Sequence, residues 1–143
     1  MTPEKIALVQ SSFKSVVPIA DTAAKLFYGR LFEVAPEVKP MFDASNMEEQ
    51  GKKLMKTLAV AVIGLSDLPA IVPIVQQLGV KHLDYGVEPA HFSPVGESLL
   101  WTLEKGLGEA WNEELLDAWT EAYTLLSNTM IDAMEKAKAE ALA

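Results

Sequence analysis

The sequence contains two histidines, and the surroundings of His82 are those in which an imidazole could do chemistry. Leu78 and Leu83 place apolar side chains beside it, and Gly86 follows as a helix stop. A neutral imidazole that points from a helix into a dry pocket can bind a haem iron, if an acceptor holds its second ring N–H. The backbone carbonyl of Leu78, one helical turn earlier, could be that acceptor. Because many histidines on amphipathic helices bind nothing, His82 alone does not decide between a ligand and a core residue.

A flat cofactor also needs apolar contacts that converge from several segments. Five segments of this chain supply six such candidates, which are Phe42, Leu54, Val87, Phe92, Val95 and Met130. Each of them taken singly is better explained as a core residue. The residue pattern by itself therefore predicts a soluble helical domain with a pocket and leaves the contents of that pocket open.

Length and composition limit the class of protein. The chain has 143 residues, which we expect to form one domain over residues 1–143, and it has no cysteine for disulfides or thiolate metal sites. Its net charge of −8 disfavours binding to nucleic acid and to anionic membranes. The N-terminus lacks the pattern of a signal peptide, and the apolar stretch Leu58–Leu65 is too short to span a membrane. We therefore expect a cytoplasmic protein.

The apolar spacing is helical almost throughout, and no segment alternates as a strand would. Thr2 and Pro3 predict the start of the first helix, and Asn112 predicts the start of the last one. The tail from Lys136 to Ala143 is expected to fray. The predicted helices run approximately over residues 3–17, 19–34, 47–64, 66–84, 90–107 and 112–135, with a short turn of helix between Pro36 and Phe42.

Several ordered motifs of the chain resemble those of one family. The segment Leu26–Phe32 (LFYGRLF), followed by Pro36–Val38 and Phe42, is similar to the second helix and following turn of bacterial globins and of flavohaemoglobins. The motifs Leu78–His82 (LGVKH) and Tyr85–Val87 resemble the proximal histidine segment. The motifs Phe92–Leu100 (FSPVGESLL) and Leu103–Gly108 resemble the next helix of neuroglobins and their bacterial relatives. Ala118 and Trp119 with Tyr123 resemble the last helix.

The resemblance implies an all-α globin fold, a three-on-three helical sandwich around one haem b. His82 then corresponds to the proximal iron ligand, and Phe42 to the phenyl ring on the haem face. Tyr28 and Gln50 correspond to the distal residues that donate hydrogen bonds to a bound gas, with Leu54 one turn further along the helix. The resemblance thus implies a high-affinity site for oxygen, nitric oxide or carbon monoxide.

The chain departs from its relatives at several positions. Gln50 stands where neuroglobins carry a second iron-binding histidine, so His82 is expected to be the single strong ligand, and His91 is better suited to a helix start. Phe92 and Met134 stand where flavohaemoglobins have a tyrosine and a glutamate, which implies a weaker electron push from the imidazole. Lys53 is equally well explained as a partner of a haem propionate or as a solvated lysine.

Three functional classes follow from the resemblance. The first is a protein that binds oxygen for storage, delivery or scavenging. The second is a nitric oxide dioxygenase, which would require a separate reductase because these 143 residues leave no room for a flavin domain. The third is a gas sensor or an interaction module. A monomer or a weak homodimer is compatible with all three classes.

Overall fold

A computed structural model describes residues 1–142, and helices account for nearly all of them. No strand occurs in this part of the chain, which confirms the all-α prediction. The α-helices of residues 1–142 are α1 (Pro3–Val16), α2 (Ala20–Val34), α3 (Met47–Gly64), α4 (Leu68–Asp84), α5 (Phe92–Leu107) and α6 (Glu113–Leu142).

The predicted caps form at both ends of the chain. The Thr2 hydroxyl accepts a hydrogen bond from the backbone N–H of Lys5 at 3.2 Å, and Pro3 occupies the first turn of α1. The side-chain oxygen of Asn112 accepts from the backbone N–H of Leu115 at 2.9 Å and so caps the start of α6. Each cap satisfies a backbone donor that the first helical turn would leave unpaired.

Tight 3₁₀ turns join the α-helices, and because of them two helices start later in the chain than predicted. The helices expected from Ser66 and Ala90 are α-helical only from Leu68 and Phe92, because a 3₁₀ turn precedes each of them. The 3₁₀ turns comprise Val17–Ile19, Pro36–Met41, Ala44–Asn46, Leu65–Asp67, Pro89–His91 and Gly108–Ala110.

The expectation that the chain frays after Lys136 is wrong for the described residues, because α6 continues to Leu142. Alanine, lysine and glutamate dominate this stretch, and all three have high helix propensity. Ala143, which also falls within that expectation, lies outside the described residues.

The helices pack as two layers of three. In one layer α3 contacts both α1 and α4, in the other α5 contacts both α2 and α6, and contacts of α1 and α4 with α6 join the layers. The core between them centres on Leu31, Leu103 and Trp119, each 2 % exposed. The indole N–H of Trp119 donates to the Ser12 hydroxyl at 2.9 Å, so the buried donor is satisfied.

The α3–α4 region is more apolar than the stretch Leu58–Leu65 suggests. By length and composition alone, the segment Ala44–Asp84 would be long and apolar enough to cross a membrane. In the fold this segment is divided by the turn Leu65–Asp67 into two separate helices that pack against each other. It is thus part of the helical bundle, although only 28 % of its most apolar window is buried.

Candidate functional site

His82 lies in the last turn of α4 and is half-buried. Its ring Nδ1 donates to the backbone carbonyl of Leu78 at 2.5 Å, as the sequence predicts. Since a carbonyl can only accept, this contact fixes the tautomer that carries a proton on Nδ1. In the neutral ring with this tautomer, the other nitrogen, Nε2, carries the lone pair that can bind a metal.

Apolar groups surround the imidazole on the α5 side. The Phe92 ring lies 6.2 Å from the His82 ring, and Phe92 is itself buried. The Tyr123 hydroxyl on α6 donates to the Phe92 carbonyl at 2.6 Å and so ties the start of α5 to α6. Burial raises the pKa of Tyr123 well above its usual range, which keeps this donor protonated. Met134 is fully buried, and it offers no polar acceptor.

A close approach of two helices sets the position of α4. A Cβ added at Gly79 would lie 2.6 Å from the carbonyl oxygen and 2.7 Å from the Cα of Met130 on α6. Only glycine allows the backbones to come this near. Because Gly79 is three residues before His82, the same contact helps to determine where the imidazole sits.

Tyr28 on α2 and Gln50 on α3 come together, as the distal assignment requires. Tyr28 is 7 % exposed, and its ring packs edge-on against Phe42 with the centroids 5.3 Å apart. Burial raises the pKa of Tyr28, and a side-chain hydrogen bond with Gln50 lowers it in part. An amide N–H that donates to the phenol oxygen would have this effect, and it leaves the phenol proton free to be donated elsewhere.

The remaining predicted residues share one property, which is that they are apolar but only half-buried. This set consists of Phe42, Leu54, Val87, Val95 and Met130. Lys53 differs, since its side chain is exposed and has no ion pair within residues 1–142. His91 differs too, because its Nδ1 accepts from the backbone N–H of Glu88 at 2.9 Å, which confirms its predicted place at a helix start.

The chemistry of this site fits a haem better than a bare metal ion. A protein site for a bare ion needs several ligands, and residues 1–142 contain no cluster of three or more His, Cys, Asp or Glu side chains. A porphyrin supplies four nitrogens itself and needs one imidazole in an apolar surround. His82, with Nδ1 held and Nε2 available, and the half-buried apolar set meet both needs.

Comparison with known proteins defines the class. The globin family model matches residues 25–130, so the chain belongs to the globin family. Flavohemoproteins from Bacillus subtilis (30 % identical) and Candida norvegensis (33 %) match 90 % and 93 % of this chain. The chain spans about a third of the length of these relatives, 35 % of each.

Solved structures share the fold over their full length. A bacterial globin from Campylobacter jejuni superposes with a TM-score of 0.85 at 26 % identity, over 96 % of this chain and 99 % of the other. An engineered carbene transferase, built on a candidate nitric oxide dioxygenase from Rhodothermus marinus, has a TM-score of 0.88 at 24 % identity. The match covers 100 % of this chain and 99 % of the other. The globin fold predicted from the motifs is therefore confirmed.

Sequence reasoning missed two features that position the site. It did not assign the hydrogen bond from Tyr123 to Phe92 or the close contact between Gly79 and Met130. A signal for both was present, because an isolated glycine inside a helix often marks a close packing contact. Gly79 is such a residue in α4, and Gly96 is another in α5, where an added Cβ would lie 2.6 Å from the Tyr123 ring.

Proposed function

We propose that this globin binds haem b through Nε2 of His82 and takes up a diatomic gas, with oxygen as the principal ligand. The observation that supports the proposal is that buried Tyr28 on α2 lies beside Gln50 on α3, which is a pair of uncharged donors that suits an apolar gas pocket. When bound, haem supplies an iron atom that coordinates the gas. All other functions of the site belong to side chains of this chain.

His82 and its neighbours hold the ligand nitrogen in place. The Leu78 carbonyl fixes the orientation and tautomer of the ring, and Phe92 packs beside it. A backbone carbonyl is a weaker acceptor than a carboxylate, so the ring would donate less electron density to a bound metal than a ring paired with a carboxylate. This supports reversible gas binding over chemistry that depends on strong electron donation from the ligand.

Tyr28 and Gln50 determine how long the gas stays. With one amide N–H of Gln50 directed at the phenol oxygen, the Tyr28 hydroxyl proton and the second amide N–H would both be available to the gas, and burial keeps the proton on the phenol. Each hydrogen bond to the gas contributes about 0.5–1.5 kcal/mol, so the pair slows gas release by roughly 10- to 100-fold. High affinity for oxygen, and binding of carbon monoxide and nitric oxide, follow from this arrangement.

The test is to load the purified chain with haem and record absorption spectra in the ferric, ferrous, oxygenated and carbon monoxide forms. A ferrous spectrum with one strong axial ligand, and oxygen release slower than in a Tyr28→Phe, Gln50→Leu double variant, is expected. A chain that takes up no haem, or whose oxygen release is unaffected by the double variant, contradicts the proposal.

A second candidate function is dioxygenation of nitric oxide to nitrate. The flavohemoprotein relatives favour it, because a flavin paired with a haem could supply the electrons that turnover needs, and the same Tyr28 and Gln50 would hold the oxygen. Turnover would require a reductase that returns the iron to the ferrous form after each cycle. Rapid mixing of the oxygen complex with nitric oxide tests the chemistry, and repeated turnover with an added reductase tests the role.

A further inference from the structure

Ala24 on α2 and Gly51 on α3 bring the backbones of these two helices close together. Both residues are buried, and Ala24 is 6 % exposed. A Cβ added at Gly51 would lie 3.0 Å from the Cβ of Ala24. Carbon atoms in ordinary contact are about 3.5–4.0 Å apart, so a side chain fits at Gly51 only if the helices move apart. We name Ala24 and Gly51 the spacer pair.

Glycine is an unfavourable residue inside a helix, yet Gly51 lies in the second turn of α3. Helix propensity alone favours alanine at such a position. An isolated glycine within a helix usually has a packing reason, and here the contact with Ala24 supplies it. The local cost to α3 is therefore explained by the close approach to α2.

The spacer pair lies next to the two polar residues of the candidate gas site. Gln50 directly precedes Gly51 on α3. Tyr28 follows Ala24 by four residues, which places it on the same face of α2, one turn further along. The separation of the two helices at the spacer pair therefore governs how closely Tyr28 and Gln50 can approach each other.

The relation between Tyr28 and Gln50 is sensitive to small changes in this separation. Hydrogen bonds from N–H to oxygen span about 2.7–3.2 Å between the heavy atoms, and a contact of about 3.6 Å no longer counts as one. A methyl group at Gly51 would push the helices apart by about 0.5–1 Å before an ordinary carbon–carbon contact with Ala24 is reached. A shift of that size takes the Gln50 amide out of reach of the Tyr28 oxygen.

We propose that the spacer pair sets the preference of the site for oxygen over carbon monoxide, because it holds Tyr28 and Gln50 at the separation from which both can donate to the gas. This step rests on the proposed function. Oxygen draws more electron density from a ferrous iron than carbon monoxide does, so hydrogen-bond donors stabilise oxygen more. Ala24 and Gly51 act through Tyr28 and Gln50 and are therefore positioning residues.

The first experiment measures the release of both gases from the haem-loaded chain by stopped-flow mixing. Gly51→Ala should fold, because alanine favours the helix. It should speed oxygen release about 2- to 10-fold, the change expected when one hydrogen bond is lost, and alter carbon monoxide release less than about twofold. Gly29→Ala is the matched control next to Tyr28, because an added Cβ there meets nothing within 4 Å, and its release rates should equal those of the wild type.

A compensating variant separates positioning from general damage. In the double variant Ala24→Gly, Gly51→Ala the methyl group has moved from α2 to α3, so the helices can return to their original separation. Oxygen release should then come back to within about twofold of the wild-type rate, although two residues are changed. Such a rescue shows that the two positions act through their mutual contact.

A measurement without gas distinguishes this proposal from the proposed function. Nuclear Overhauser contacts between the side-chain amide protons of Gln50 and the ring protons of Tyr28 report their separation in the purified chain, with or without haem. Gly51→Ala should weaken these contacts, and the double variant should restore them. If the contacts change in this way in a chain that takes up no haem, the gas-binding function is wrong while positioning by the spacer pair is confirmed.

Three results would overturn the proposal. The first is oxygen release from Gly51→Ala at the wild-type rate. The second is equal acceleration of oxygen and carbon monoxide release, which would indicate a generally looser pocket. The third is a double variant that releases oxygen as fast as Gly51→Ala alone.

Discussion

The two sides of the candidate haem cleft differ in polarity. On the α2–α3 side, the Tyr28 hydroxyl and the Gln50 amide are in contact within an aromatic surround. On the α4–α6 side, His82 has a backbone carbonyl as its polar partner, the Phe92 ring lies beside it, and Met134 on α6 is buried and apolar. Under the proposed function, the side-chain hydrogen-bond donors lie on the side where the gas would bind, and the His82 side holds the imidazole in one orientation.

The largest effect should come from the ligand side. His82→Ala removes the imidazole, so we expect the purified protein to lose nearly all haem absorbance, with partial recovery on addition of free imidazole. His91→Ala is the matched control, because His91 is bonded to the Glu88 backbone at a helix start. Equal haem retention by the two variants would contradict the assignment of His82.

On the gas side, Tyr28→Phe should speed oxygen release about tenfold, the change expected when one hydrogen bond to the gas is lost. Laser photolysis or stopped-flow mixing with carbon monoxide measures this rate. Tyr85→Phe removes a hydroxyl that is 56 % exposed and should leave the rate unchanged. If both variants release oxygen at the wild-type rate, polarity on the gas side does not control affinity.

The sequence predicted the local features of the two sides of the cleft but not the contacts between residues far apart in the chain. The helices were predictable because caps, prolines and apolar spacing act locally, and His82 with Leu78 was predictable because one helical turn relates them. The contact of Gly79 with Met130 and the hydrogen bond from Tyr123 to Phe92 were not, since they join residues 51 and 31 positions apart. The isolated Gly79 and Gly96 mark close packing, but the partner residues depend on how α4, α5 and α6 pack, which helical periodicity does not give.

The fixed position of the ligand side can be tested at Gly79. Gly79→Ala places a methyl group against the Met130 backbone, which cannot move aside as a side chain would, so we expect a loss of about 1–3 kcal/mol in the free energy of unfolding. Gly29→Ala is the control, because an added Cβ there meets nothing within 4 Å and should stabilise α2 by about 0.5–1 kcal/mol. Urea unfolding of both variants decides the matter, and a stable Gly79→Ala protein would refute tight packing at this position.

A smaller effect is expected when the ligand side is made polar. Phe92→Tyr sets a hydroxyl near the His82 ring as a second acceptor, which should lower the midpoint potential of the haem by roughly 20–60 mV, the one-electron equivalent of one net hydrogen bond. Phe92→Leu controls for the altered packing. Spectroelectrochemical titration measures the potential, and a rise in Phe92→Tyr would show that the added hydroxyl does not accept from the imidazole.

The smallest expected effect is a difference between the two buried phenols in how they change the free energy of unfolding at high pH. Burial raises the pKa of both Tyr28 and Tyr123, and the contact with Gln50 partly offsets the rise for Tyr28 alone. In the unfolded chain a tyrosine ionises near pH 10, while the folded chain still holds both protons, so unfolding releases protons and the free energy of unfolding falls as pH rises above 10. Each tyrosine contributes a slope of up to about 1.4 kcal/mol per pH unit.

Tyr123→Phe should therefore flatten the fall in the free energy of unfolding between pH 10 and 11 more than Tyr28→Phe does. Urea titrations at several pH values measure it, and parallel curves for wild type and both variants would mean that neither phenol is held protonated by the fold.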